Sequence, residues 1–100
     1  MNDNNDTALH KAAGYGKTAV AAQLLKAKAS VTAVDSNGWT PLHWAAANGK
    51  AQVVDLMLQA KASPTAVAKD GSTPARVAEQ GGHTDLAARL RQAEQAPSSM

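Results

Sequence analysis

The sequence predicts an all-α solenoid, three helix-turn-helix units joined by β-hairpin-like loops. Three observations carry this expectation. First, residue types return at a constant step of 33: Thr7, Thr40 and Thr73; Leu9, Leu42 and Ala75; Ala12, Ala45 and Ala78; Gly16, Gly49 and Gly82; Val20, Val53 and Leu86; Leu24, Met57 and Leu90. No gap is needed, and a fixed period of this size marks stacked units that cannot bury their apolar faces alone. Second, alanine supplies roughly a quarter of the chain and phenylalanine is absent, so the core must be built from many thin contacts between closely approaching helices. Third, each unit carries its own helix start and stop signals.

The first unit, about residues 5–37, places Thr7 before Ala8-Leu9-His10 and a turn at Gly16. It lacks a full Asp-x-x-Gly loop before Thr7 and has Gln23 where the middle unit has Leu56, so it reads as an N-terminal cap. The middle unit, about 38–70, is the most complete. Thr40 is a good N-cap, and Pro41 sits at the first helical position, where a missing N–H costs nothing. That helix should end near Asn48-Gly49, with Gly49 supplying the turn. A second helix follows from about Ala51 to Ala60, its Val53, Val54, Leu56, Met57 and Leu58 giving a broad apolar face. "KASPTAVAKDGST" then reads as a loop, with Asp70-Gly71 as its hairpin signal. In the third unit, about 71–95, Arg91 replaces Leu25 and Leu58, and Glu79 replaces Ala13 and Ala46. Charges at those places suit a face in water, so this unit reads as a C-terminal cap closing a domain of about residues 1–96. The tail, 96–100, has no periodic apolar residue and is expected to be disordered.

The stretch "DSNGWTPLHWAAANGKAQVVDLMLQAKAS", Asp35 to Ser63, resembles an almost complete ankyrin repeat. It carries Gly-x-Thr-Pro-Leu-His-x-Ala-Ala followed by Gly, Val-Val and a Leu-rich second helix. "TALHKAAGYGKTAVAAQLLKAKA" from Thr7 and "DGSTPARVAEQGGHTDLAARL" from Asp70 resemble its neighbours, so the likeness covers about residues 5–93. It is specific for fold and says little about activity.

Two departures from that family stand out. Lys28 and Lys61 occupy the place after the second helix where the family usually has a left-handed Gly, a strain of roughly 1 kcal/mol for a residue with a β-carbon. Ala68 replaces the turn aspartate represented by Asp35, so the finger from Val67 to Ser72 should be looser than that from Val34 to Trp39.

The resemblance also assigns roles. Structural positions are Thr7, His10, Thr40, Pro41, His43 and Thr73 at the helix starts and Gly16, Gly49 and Gly82 at the turns. The Thr-to-His spacing implies a hydrogen bond that ties each first helix to neighbouring backbone. His83, aligned with Lys17 and Lys50, should lie on the surface. Partners of the family usually meet the hairpin tips and the exposed face of the first helices. Carried over by position, partner-binding candidates are Ser36, Asn37 and Trp39, then Ala47 and Asn48, then Lys69, Asp70 and Ser72, with Gly14 and Tyr15 in the first unit and Gln80 and Gly81 in the cap. Trp44 aligns with Lys11 and Val77 and is expected to pack in part, while belonging to the same anchor. Trp39 aligns with Asp6 and Ser72, both polar, so its ring is expected at a solvent-facing site, where Trp and Tyr make strong anchors.

Other chemistry finds little support. The histidines repeat at the module period rather than at a metal-ligand spacing, no phosphate-cradling glycine loop occurs, and cysteine is absent. No enzyme, metal or cofactor is expected. Net charge is +2, with ten basic residues scattered among eight acids, which speaks against nucleic acid. No apolar run approaches a membrane span, and the start, "MNDNNDTALH", does not read as a secretory signal. The expected protein is a monomeric, intracellular, cytoplasmic interaction module, with the nucleus left open. It would bind a protein or peptide; a regulator or inhibitor of an enzyme, or a stability scaffold without a fixed partner, are the alternatives.

Overall fold

In the computed structural model, residues 7–95 are described. They form six helices in three antiparallel pairs: α1 (Ala8–Gly14) with α2 (Thr18–Lys26), α3 (Pro41–Ala47) with α4 (Ala51–Gln59), and α5 (Pro74–Gln80) with α6 (Thr84–Gln95). The first helices stack α1 on α3 on α5 as an inner layer, and α2 packs on α4 behind them. Residues 1–6 and the tail at 96–100, expected to be disordered, lie outside the described residues.

Each first helix starts the same way. Thr7, Thr40 and Thr73 have extended backbone, and their hydroxyls accept the N–H of His10, His43 and Arg76. In the first two units the histidine completes a reciprocal cap: Nδ1 of His43 accepts the Thr40 N–H at 3.1 Å, as Nδ1 of His10 does from Thr7 at 3.2 Å. Arginine has no acceptor, so the third unit keeps only half of this arrangement.

The second helices end as a Schellman turn. Lys61 N–H donates to Leu58 C=O and Ala62 N–H to Met57 C=O, with Lys61 in the left-handed region at φ 74°; Lys28 repeats this at φ 67°. α6 instead runs through the aligned Glu94 to Gln95, because good helix formers replace the turn sequence.

The core is as thin as the composition demands. Ala12, Ala13, Ala45, Ala46, Ala75 and Ala78 are buried between the inner helices, and Leu9, Leu42, Val53, Val54, Met57, Leu86 and Leu90 fill the space between layers. The two ends differ. At the C-terminal end Glu79 and Arg91 are exposed and paired at 2.8 Å, as expected of a water-facing cap. At the other end Val20 is 47% exposed, while the aligned Val53 and Leu86 are buried. Gln23 is thus the polar feature of a face that otherwise keeps apolar character.

The loops between units were expected as hairpins. No strand forms among the described residues; each loop is a tight finger closed by two backbone bonds. Asp35 N–H donates to Trp39 C=O and Gly38 N–H to Asp35 C=O; Ala68 to Ser72 and Gly71 to Ala68 reproduce the pair one unit on. One bond, Lys69 N–H to Asn37 C=O at 3.1 Å, joins the two fingers. A glycine is required at 38, where φ is +78° and a β-carbon would sit 2.8 Å from Lys69 N.

Candidate functional site

Asp35 organises the first complete finger. Its Oδ1 accepts the N–H of Asn37 and of Trp39, each at 2.9 Å, and its Oδ2 accepts the indole N–H of Trp44 at 2.9 Å. Burial raises its pKa, but those bonds outweigh burial and hold the carboxyl below its ordinary range. A side chain that holds the turn therefore also fixes a tryptophan nine residues away.

Trp44 reaches back over the first unit. Its ring meets His10 edge-on at 5.5 Å and covers Gly14 so closely that a β-carbon there would lie 2.7 Å from Cε3. Trp39 stacks on His43, centroids 5.8 Å apart and planes within 28°. Both indoles are half-buried. Trp39 is therefore not the free, solvent-facing ring expected from its polar alignment partners. Ser72, one of those polar partners, is itself only 3% exposed. Its carbonyl accepts His43 Nε2–H at 2.9 Å and its N–H donates to Asp70 Oδ1 at 3.0 Å. Its backbone is thus tied on both sides, and Ser72 is no part of an accessible surface.

Two further expectations are corrected. Gly14 is buried beneath Trp44 rather than displayed. His83 is half-buried, its ring lying over Gly49, just as the Lys50 stem lies over Gly16. These inter-helix glycines thus give each following unit room to lay a side chain across the turn, in addition to supplying positive φ.

The histidines fasten one unit to the next. His10 Nδ1 lies 2.9 Å from Thr7 Oγ1, and its Nε2–H donates to Trp39 C=O at 2.7 Å. His43 does the same between Thr40 Oγ1, at 2.9 Å, and Ser72 C=O. Because Nδ1 accepts a backbone N–H in both, the proton sits on Nε2. Burial, the leading cause, lowers the pKa of His43. Both ring nitrogens of His10 and of His43 are engaged in structure, and among the described residues no three His, Asp or Glu side chains gather as a metal would need.

Above this framework the remaining candidates form one surface. An open groove of about 380 Å³ is lined by Asp35, Asn37, Trp39, Trp44, Ala47 and Asn48. It shares Trp44 and Asn48 with a neighbouring hollow that adds Gly14, Tyr15 and Lys50, and shares Asn37 and Trp39 with another that adds Lys69 and Asp70. Tyr15 is 68% exposed and packs on nothing in the core. The structure thus brings Tyr15, Trp44, Asn48, Ala47, Trp39, Asn37, Lys69 and Asp70 together along the first two units. Ser36 is exposed at the fingertip, outside the groove lining, as are Gln80 and Gly81 on the cap. The sequence reading missed Asp35 and Lys50 as lining residues. Asp35 was legible only as a turn former, since nothing in one dimension puts its second oxygen against Trp44.

Among the described residues no helix is long and apolar enough to cross a membrane. None of the curated proteins compared matches the chain. A family model for ankyrin repeats in three copies matches residues 1–68. The third unit, beyond that match, repeats the Thr N-cap and the helix pair. Ankyrin repeats are generally protein–protein interaction modules. With its 33-residue step, paired helices and Thr-His fastenings between units, the chain belongs to the ankyrin repeat family.

Proposed function

We propose that the chain is a non-catalytic interaction module that holds a protein or peptide partner along the groove between its fingers and first helices. One observation carries the reading: all three aromatic residues of the chain, Tyr15, Trp39 and Trp44, line adjoining hollows that share lining residues and run from the first unit along the second. Aromatic anchors within a polar rim are the usual makings of a binding hot spot, and here the rim is Asn37, Asn48, Lys50, Lys69 and Asp70. The backbone beneath is fixed by the Thr-His bonds and by Asp35, so little ordering is spent on binding. The mixed charge of the rim suits a protein surface better than a phosphate backbone.

Tyr15 is the residue to test, because it is 68% exposed and lies outside the core. Peptides selected from a displayed random library on the whole chain should lose at least about tenfold in affinity on Tyr15→Ala, with melting unchanged. Gln23→Ala, on the second-helix layer, should leave their affinity as it was. Selected peptides that respond to Gln23 and ignore Tyr15 would place binding elsewhere and end the reading.

A further inference from the structure

The middle of the groove holds an unusual charge. Asp35 is 6% exposed, and each partner of its carboxylate is a neutral N–H: two from backbone and one from the Trp44 indole. Among the described residues the ion pairs are Arg89 with Asp55 and Arg91 with Glu79, so no cation of the stack neutralises Asp35. A largely desolvated carboxylate without a counter-charge leaves its field in the space above it, and that space is walled by the half-buried indoles of Trp39 and Trp44. Two indoles and one anion attract the same thing, a flat and weakly hydrated cation. Positive charge of the chain itself stands at the ends of the groove, Lys50 beside Tyr15 and Lys69 beside Asp70.

We propose that the groove takes one arginine side chain of the partner, its guanidinium laid against the Trp39 and Trp44 indoles and its charge above the Asp35 carboxylate. This rests on the reading of the groove as the partner-binding face. The flanking lysines disfavour a run of basic residues, so the fitting partner segment carries a single arginine among neutral or acidic neighbours.

The two tryptophans give two indole N–H signals, which makes the test direct. The whole chain, labelled with nitrogen-15, is titrated with the blocked peptide acetyl-Gly-Ser-Arg-Ser-Gly-amide. It is titrated in parallel with the same peptide carrying citrulline, which keeps the shape of arginine and removes its charge. The arginine peptide should move both indole signals, with at least fivefold higher affinity than the citrulline peptide, and the difference should shrink in 0.5 M salt. A peptide with three consecutive arginines should bind no better than the single one. Equal affinity for arginine and citrulline, or indole signals that stay in place throughout, would overturn the proposal. If library-selected peptides without arginine still depend on Tyr15 in that case, the groove remains the binding face and only its preference for a cation falls.

Discussion

The indole of Trp44 closes over Gly14, leaving no space for a β-carbon at that position: one built there lies 2.7 Å from Cε3. One unit further along, the aligned residues are Val77 and Ala47, a smaller side chain matched to a larger neighbour. Gly14→Ala should gain up to about 1 kcal/mol in helix propensity and lose about 1–3 kcal/mol to overpacking, for a net loss of about 1 kcal/mol. Trp44→Val in the same chain should restore most of it. Denaturant melts of the two single variants and the double variant would show this as coupling; strictly additive changes would mean the ring moves aside freely.

Asp35 joins the finger to α3, and its loss should be felt in both. Asp35→Ala strands three N–H donors and should cost about 2 kcal/mol, with the tryptophan emission moving to longer wavelength as Trp44 loosens. Ala68 stands at the matching place in the next finger, which keeps both backbone bonds and has only the Asp70 side chain bond to Ser72 N–H. The finger at 34–39 should therefore exchange its amides more slowly than that at 67–72, a comparison that hydrogen exchange makes without any substitution.

Acid should weaken the stack in two separate windows. His43 is buried with its pKa lowered, so below about pH 6.5 the unfolded chain takes up a proton that the folded chain resists. Stability from this group is full above that pH and declines on acidification toward the folded pKa. Asp35 has the opposite chemistry and the same direction of effect: its carboxyl, held below the ordinary range, favours the fold above about pH 4 and ceases to do so as the pH falls through the folded value. Urea midpoints across pH 3–8 should show a decline below 6.5 that His43→Gln flattens and a second, below 4, that it leaves intact.

Lys61 holds φ 74° at the end of α4, a conformation that costs a residue with a β-carbon about 1 kcal/mol. Lys61→Gly should raise the melting temperature by on the order of 4–8 °C for a domain of this size. A midpoint that falls would show that the charge at the helix end, together with the smaller freedom of lysine in the unfolded chain, outweighs the strain.

Sequence by itself determined the repeat, because period, caps and turns act within a few residues or within one helix face. Thr40 and Pro41 start α3, Gly49 ends it, and the alanines permit close stacking wherever the next unit arrives. What tertiary structure decided is the environment of residues that meet across units. Ser72 is polar yet buried, its carbonyl held by His43, 29 residues earlier; Trp39 lies down on that same histidine; and Trp44 finds both an acceptor in Asp35 and a floor in Gly14. Periodicity says that positions are equivalent, but exposure depends on the particular side chain delivered from the neighbouring unit. Equivalent positions therefore share a backbone without sharing a surface.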